Sequence, residues 1–545
     1  MRPMRHMNKL LAFILFFLIS TSTANAEELM KVRIANFEGG QNSYDLSDVI
    51  NINQGQTLSN VINSKKGQLF KRKGQSLFAG DESNTAWTGI GRYDPGINTS
   101  YIMAASGVRI VKSESSPASW IVINNATYGG GSGFLTDACD TEFIQANDLL
   151  FILNGTDYTS FFDNVTFNKG TNATGSPPVA TTAAWLRNYL FTAGDPTHTD
   201  WVSFSNNLVP YLFTSTDVFR VNTGDGQVIQ RIEVFRLNEL IIYKERSIFV
   251  LDITGTTPLT DWTLQPISKV IGCIAKRSVV NFGNDQWFLS SDPIAVRSLS
   301  RTSYDKILTE MVSQPIQDIF DGTGERVINK TYIDKACGVF FDNKYLLAIA
   351  TGASSVNDFV VVYDFLTKSW STIDGWYPSA WVVWDNSLFY TDALDGRVIE
   401  CFEGTQGDMA SGPVITTASE PTVSIPYSYI SKTIDFDNKE NYKQLDSIEV
   451  IFDPSGSYNA TLYINLDGNG WQNVGTINLA GSAPVLPLTL PFTLSSSGMA
   501  RKTFQLQRYG EFRKIQIKIT QSGASEECNL QSVCCFATLK PWRRE

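Results

Sequence analysis

Histidine is nearly absent from this chain: of 545 residues only His6 and His198 carry an imidazole. A multi-histidine metal site is therefore excluded. Any Ser–His or Cys–His nucleophilic system would have to use His198, in the loop DPTHTDW (195–201), because His6 falls in the N-terminal leader. A histidine in a surface loop beside a turn proline is expected to be structural. Glycine-rich phosphate loops and dinucleotide fingerprints are missing as well, which removes the usual nucleotide-binding chemistries. The Ser-x-Asp-x-Gly-x-x-Trp repeat of sialidase-like propellers is absent, and SSDPIAVRS (290–298) only begins like it. Catalytic pairs of Asp and Glu cannot be located by spacing alone. The reading is of a protein that is not an enzyme and carries no cofactor.

Positive charge is the minority sign. Lys and Arg number 44 against 54 Asp and Glu, a net charge of −10. Such a balance argues against general affinity for nucleic acid, which needs clustered positive charge. It is compatible with a surface along which DNA moves without sticking. Long apolar runs are confined to the leader, where Arg2, Arg5 and Lys9 precede LLAFILFFLI (10–19) and small residues end at Ala24-Asn25-Ala26. Those are the three parts of a secretory signal peptide, with a cut expected before Glu27. No later stretch is long and apolar enough to span a bilayer. The seven cysteines are odd in number, scattered, and unlike a zinc site in spacing. They lean instead towards buried thiols in a reducing compartment.

Long amphipathic helical patterns are also lacking; strands and turns fill the chain. From about residue 87 to 402 one unit recurs, in which a turn with Asn or Asp leads into a short apolar strand. Copies include NDLLFILNGTD (147–157), RNYLFTAGD (187–195), NELIIYKERSIFVLD (238–252), NDQWFLSSD (284–292), DNKYLLAIATG (342–352) and DNSLFYTDALDGRVIECF (385–402), with SYIMAASGVRIVKS (100–113) as an earlier candidate. A spacing of roughly 40 to 60 residues suits four-stranded blades that must stack in a ring to bury their faces. The expected fold is all-β: a propeller of about six to seven blades at 87–402, a Gly/Ser/Thr/Pro-rich linker at 403–426, and a small C-terminal β-sandwich at 427–545. Residues 1–29 form the signal-like leader, and 30–86 supply N-terminal strands. In the sandwich, DGNG (467–470) predicts a hairpin turn, without the acidic ligands of a calcium loop. The tryptophans of SWSTIDGWYPSAWVVW (369–384), with Trp201, Trp262 and Trp287, are expected to pack between blades.

Against this acidic background stands VINSKKGQLFKRKGQSLFAG (61–80). Lys65, Lys66, Lys71, Arg72 and Lys73 place five positive charges within nine residues, broken by Gly67. The hairpin is a candidate contact for a partner or for DNA, or else a solvated turn that keeps a strand edge soluble.

The stretch NFEGGQNSYDLSDVININQGQTLSNVINSKKGQLFKRKG (36–74) resembles the opening of tail hub and nozzle proteins of short-tailed bacteriophages. Those begin with a Gly-Gly line and an Asn-rich strand, then a Gly-x-Leu/Ile-x-Lys-Arg-x-Gly turn, matched here by Gly67, Leu69, Lys71, Arg72 and Gly74. NDLLFILNGTDY, RNYLFTAGD, IIYKERSIFVLDI and VVYDFLTKSWSTI look like successive blade strands of that family, and TIDFDNKENYKQLDSIEVIF resembles its C-terminal β region. The similarity runs from about residue 31 onward. It implies a structural virion protein: a ring of copies, six-fold, below the portal, touching neighbouring tail and adaptor proteins, with double-stranded DNA passing transiently and no stable membrane contact. On that reading the protein belongs to the virion tail, is assembled in the host cytoplasm, and starts naturally at Met30. The leader supports the alternative, a periplasmic or secreted propeller that binds glycans or a cell-surface partner.

Overall fold

The computed structural model describes residues 29–63, 67–79, 87–96, 100–113, 120–128, 135–136, 140–301, 307–404, 407–409, 422–480 and 498–540. The leader up to residue 28, Lys65, Lys66 and Cys139 lie outside them.

The recurring turn signal is a hairpin between the first and second strands of a blade. At Arg187-Asn188, Asp342-Asn343 and Asp385-Asn386 both central residues have positive φ. This is the conformation that the right-handed twist of a two-residue hairpin demands and that Asn and Asp tolerate best. Each hairpin is extended by two further antiparallel strands. Six four-stranded sheets stand alone, and a seventh four-stranded unit, 337–374, continues into a ten-stranded sheet. In chain order the innermost strands are Trp87–Tyr93, Glu142–Ala146, Thr182–Leu186, Ile229–Arg236, Val280–Phe282, Cys337–Phe341 and Pro378–Trp384. The last of these returns to lie beside the first. We number the blades 1 to 7 in that order.

Packing follows the ring. Separate buried apolar clusters fill the seams between blades 1 and 2, 2 and 3, 3 and 4, 4 and 5, 5 and 6, 6 and 7, and 7 and 1. Large aromatic rings do much of the filling. Trp262 meets Tyr189 edge-on, and Trp287 contacts Tyr345 and Trp370 across the seam of blades 5 and 6. Trp262, Trp287, Trp370, Trp376, Trp381 and Trp384 thus pack between blades, as the sequence suggests, whereas Trp201 packs on His198 and Arg220 of its own blade.

The closing device is N-terminal. Blade 7 has three strands of its own, and its fourth is Gly74–Ala79, paired antiparallel with Val398–Glu403. Ring closure therefore ties the two ends of the propeller sequence together.

The C-terminal sandwich is likewise built from both ends of the chain. One sheet runs through Val61–Asn63, Leu69–Lys71, Asn529–Leu539, Lys443–Phe452 and Ala500–Gln505, with Leu29–Ile34 also pairing onto Asn529–Leu539. The other orders Gln54–Ser59, Tyr427–Ser431, Ile515–Gln521, Asn459–Leu466 and Trp471–Asn478. Its alternating strands send Leu58, Tyr429, Ile517 and Leu462 into one shared core with Val61, Leu69, Leu445 and Val533. The strands of 30–86 are therefore shared between sandwich and propeller. Gln54–Ser59 also meets Ser369–Asp374 in a short parallel contact, Ser59 opposite Thr372, which joins blade 6 to the sandwich.

Close packing at this junction explains the Gly-Gly line. Gly40 has φ of +64° and lies so near blade 6 that a Cβ there would stand 2.4 Å from Ser369 Cβ. Only glycine meets both conditions.

Candidate functional site

The basic hairpin leads to the joint between the two domains. Of its described cations, Lys73 alone is exposed. Lys71 and Arg72 are buried, Arg72 completely. This corrects the expectation that both serve as surface contacts for a partner or DNA: neither presents its charge outward.

Arg72 reaches every element that meets here. Its Nε donates to Asn60 Oδ1 at 2.8 Å, Nη1 to Lys73 O at 3.1 Å, and Nη2 to Asp374 O at the end of blade 6 at 3.2 Å. Nη1 also donates to Asp408 Oδ1 at 2.7 Å, and Nη2 to Asp408 Oδ2. Its guanidinium lies 4.7 Å from the ring of Trp376, whose Nε1 donates to the same carboxylate at 3.3 Å. A planar fork with five donors suits this multiple bonding, whereas an ammonium would leave acceptors unmet. Asp408 falls in the segment read from sequence as a linker. It is the middle residue of a short ladder, Gly407–Met409 with Thr422–Ser424.

Lys71 turns the other way, into the sandwich. Its Nζ donates to Gln521 Oε1 at 2.7 Å and Gly523 O at 2.8 Å. Burial lowers its pKa from the ordinary 10.5 to about 8, with Cys528 and Glu526 opposing the shift. Lys73 stands at the edge of a cleft of 560 Å³ shared with Phe70, Phe341, Lys344, Phe402 and Glu527.

A second charged constellation occupies the axis of the propeller. Arg231 Nη1 donates to Glu142 Oε1 at 2.5 Å, while its Nε and Nη2 reach Glu233 Oε2 at 3.1 and 2.7 Å. Arg277 closes the same space by donating to Thr88 O at 2.6 Å, Thr141 O at 3.1 Å and Ser379 O at 3.2 Å, carbonyls of blade 1, the lead-in to blade 2, and blade 7. A cavity of 180 Å³ lies among Glu142, Arg231, Arg277, Cys337 and Trp381. Burial pushes the Glu142 carboxyl up, against the pull of Arg231. Both axial glutamates are tied to Arg231, which joins them in one ion network.

Other candidates have local roles. His198 Nδ1 lies 3.0 Å from Asp195 Oδ2, and its ring stacks on Trp201 with centroids 3.8 Å apart. These contacts fix the 195–201 turn. The hairpin at 467–470 forms as expected, and Asp467 accepts from the backbone amides of Arg513 and Lys514. Cys273, Cys337, Cys401, Cys528, Cys534 and Cys535 are buried free thiols. Burial raises Cys273 to about 11 and Cys337 and Cys528 to about 12, which removes thiolate reactivity. Among the described residues no group of three or more His, Cys, Asp or Glu side chains could hold a metal ion. None of the described helices is long and apolar enough to cross a membrane.

No family model matches the chain, and no curated protein matches it in sequence. Several solved propellers are similar in structure. The Pan2 WD40 domain of Neurospora crassa is 8% identical, with a TM-score of 0.38 over 61% of this chain and 95% of that one. An exo-β-1,3-galactanase of Phanerochaete chrysosporium, solved with galactose, is 11% identical, with a TM-score of 0.26 over 67% of this chain and 99% of that one. The extracellular domain of the one component system BT4673 of B. thetaiotaomicron is 10% identical, with a TM-score of 0.41 over 88% of this chain and 62% of that one. Similarities this distant say nothing of activity, ligand or assembly.

Proposed function

We propose that this chain is a structural protein of a short-tailed phage virion, a hub or nozzle subunit whose copies form a ring below the portal. The observation that carries the reading is where the resembling residues lie. Of the residues that carry the likeness, Gly40, Arg72 and Gly74 lie where sandwich meets propeller, while Gly67, Leu69 and Lys71 anchor the same turn within the sandwich. A turn packed at such a seam fixes the relative placement of two domains, which a ring subunit needs. Arg231, Glu142 and Arg277 reach across the propeller axis and narrow it. DNA would run through the space enclosed by the copies, along a surface whose net charge of −10 discourages sticking. The chain is read as non-enzymatic, since the axial glutamates are held by Arg231.

Electron microscopy and native mass spectrometry of the purified protein, alone and with a portal and adaptor of the same genome, test this. Closed rings that dock onto the adaptor are expected. A protein that stays monomeric in both settings, or that turns over a glycoside in a manner abolished by changing one propeller carboxylate, would overturn it. The leader favours a second reading, an exported propeller that binds a surface partner, and the protein's true N-terminus separates the two.

A further inference from the structure

The outer face of one sandwich sheet is not ordinary solvent-facing surface. Its strands alternate, so one set of side chains fills the core and the other faces a cleft of 790 Å³ between sandwich and propeller. Across that face the register aligns Ile430, Lys518, Tyr463 and Asn473 on one rung. Gln516, Asn465 and Trp471 form the next. Side chains on a rung, and diagonally between rungs, are within reach of each other. Lys518 Nζ accordingly lies 5.9 Å from the Tyr463 ring and 5.6 Å from that of Trp471.

Trp471 is the anomaly. It is 37% exposed, and the other described tryptophans are all more buried. An indole left half in water at the wall of a cleft, beside side-chain amides, leaves apolar area uncovered next to polar groups that fix orientation. Gln516 Nε2 donates to Gln56 Oε1 at 2.5 Å and to Ser431 O at 3.1 Å, which pins this amide and the Gln56 amide in place. The opposite wall comes from the propeller side, with Asp318, Glu325, Arg326 and Asp374.

Charge selects the ligand class. Arg326 faces Asp374 at 3.2 Å, and Lys518 faces aromatic rings, so the cleft's two cations are engaged while carboxylates outnumber them. Phosphate and other anions are disfavoured. A flat ring, amides, hydroxyls and carboxylates together match a neutral polyol, whose C–H face stacks on indole and whose hydroxyls take both donors and acceptors. We infer that this cleft binds a neutral oligosaccharide, stacked on Trp471 and hydrogen-bonded by Gln516 and the facing carboxylates. The site does not depend on the ring reading.

The test uses the full chain and calorimetric titration with neutral hexaoses of glucose, mannose, galactose and xylose, alongside a sulfated hexaose. Binding of at least one neutral sugar and none of the sulfated one is expected. Trp471→Ala should weaken it about tenfold or more, and Trp471→Phe should restore part of that. Trp471 is solvent-facing, so unchanged melting of both variants would show that the fold is kept. Absence of binding to all four neutral sugars overturns the inference. So does preference for the sulfated sugar, or binding that Trp471→Ala leaves intact.

Discussion

Arg72 and Asp408 form a buried bidentate pair at the point where blade 6, blade 7 and the sandwich meet, with Arg72 fully enclosed and the Asp408 side chain 7% exposed. The two are 336 residues apart in sequence. Removing one partner leaves an unpaired charge in the interior. Arg72→Ala or Asp408→Ala should therefore lose about 3–5 kcal/mol in denaturant unfolding, whereas Arg72→Met with Asp408→Leu together should lose much less. Equal losses in the single and double variants would mean that the pair itself is not the joint. The same burial means that Lys71→Glu with Arg72→Glu fails to give a folded subunit. Charge reversal here is not a surface perturbation.

Lys71 makes stability depend on pH with a definite sign. Its folded pKa, about 8, is below the ordinary 10.5, so the unfolded chain binds more protons between those values. Stability from this group then rises with pH across that window and is lowest, through the cost of a buried ammonium, below about pH 8. Unfolding free energies of the native chain minus those of Lys71→Met, measured from pH 7 to pH 10.5, should climb in that interval. A flat difference would place the Lys71 ammonium in an environment as favourable as water.

Arg277 holds three carbonyls around the propeller axis. Arg277→Ala should destabilise the chain by about 1–3 kcal/mol, the range for hydrogen bonds to a charged donor, with Thr88 O keeping its bond from the Thr141 amide. Amide exchange should quicken first in Trp87–Tyr93 and Pro378–Trp384, the inner strands that Arg277 ties together. Uniform exchange change across all blades would assign it a diffuse electrostatic role instead.

How far the sequence discloses this architecture depends on the range of the interaction. The blade hairpins are legible because Arg187-Asn188, Asp342-Asn343 and Asp385-Asn386 state a local backbone need in local letters. Blade number is less legible. Blades repeat turns rather than residues, and the last one borrows Gly74–Ala79 from before the ring begins. The joint is hidden altogether. Lys71 and Arg72 read as surface charges because nothing near them in sequence offers a buried partner, while Asp408 sits in a Gly- and Ser-rich stretch with the texture of a linker. Trp471 illustrates the opposite failure. Its strand is plain from alternation and the turn at 467–470, but the wall across the cleft comes from the other domain.

The strand Leu29–Ile34 sets how far the N-terminus can be shortened without loss of sandwich contacts. Met30 to Ile34 pair with Val533 to Ala537, Ile34 is buried in the sandwich core, and Met30 and Val32 pack against it, whereas Leu29 is 63% exposed. A chain that begins at Met30 keeps every one of those contacts. Its stability should match that of a chain beginning at Glu27 within about 0.5 kcal/mol, as for changes at exposed positions. Deletion through Asn36 removes the strand and should lose at least about 2 kcal/mol, the burial of one or more core side chains. Intact mass then discriminates between the two functions that stability cannot separate. A virion subunit made in the cytosol is expected to start at or near Met30. Native protein that starts at Glu27 and is recovered from a periplasmic or secreted fraction would make this an exported propeller, because only cleavage after Ala26 during export leaves that residue first.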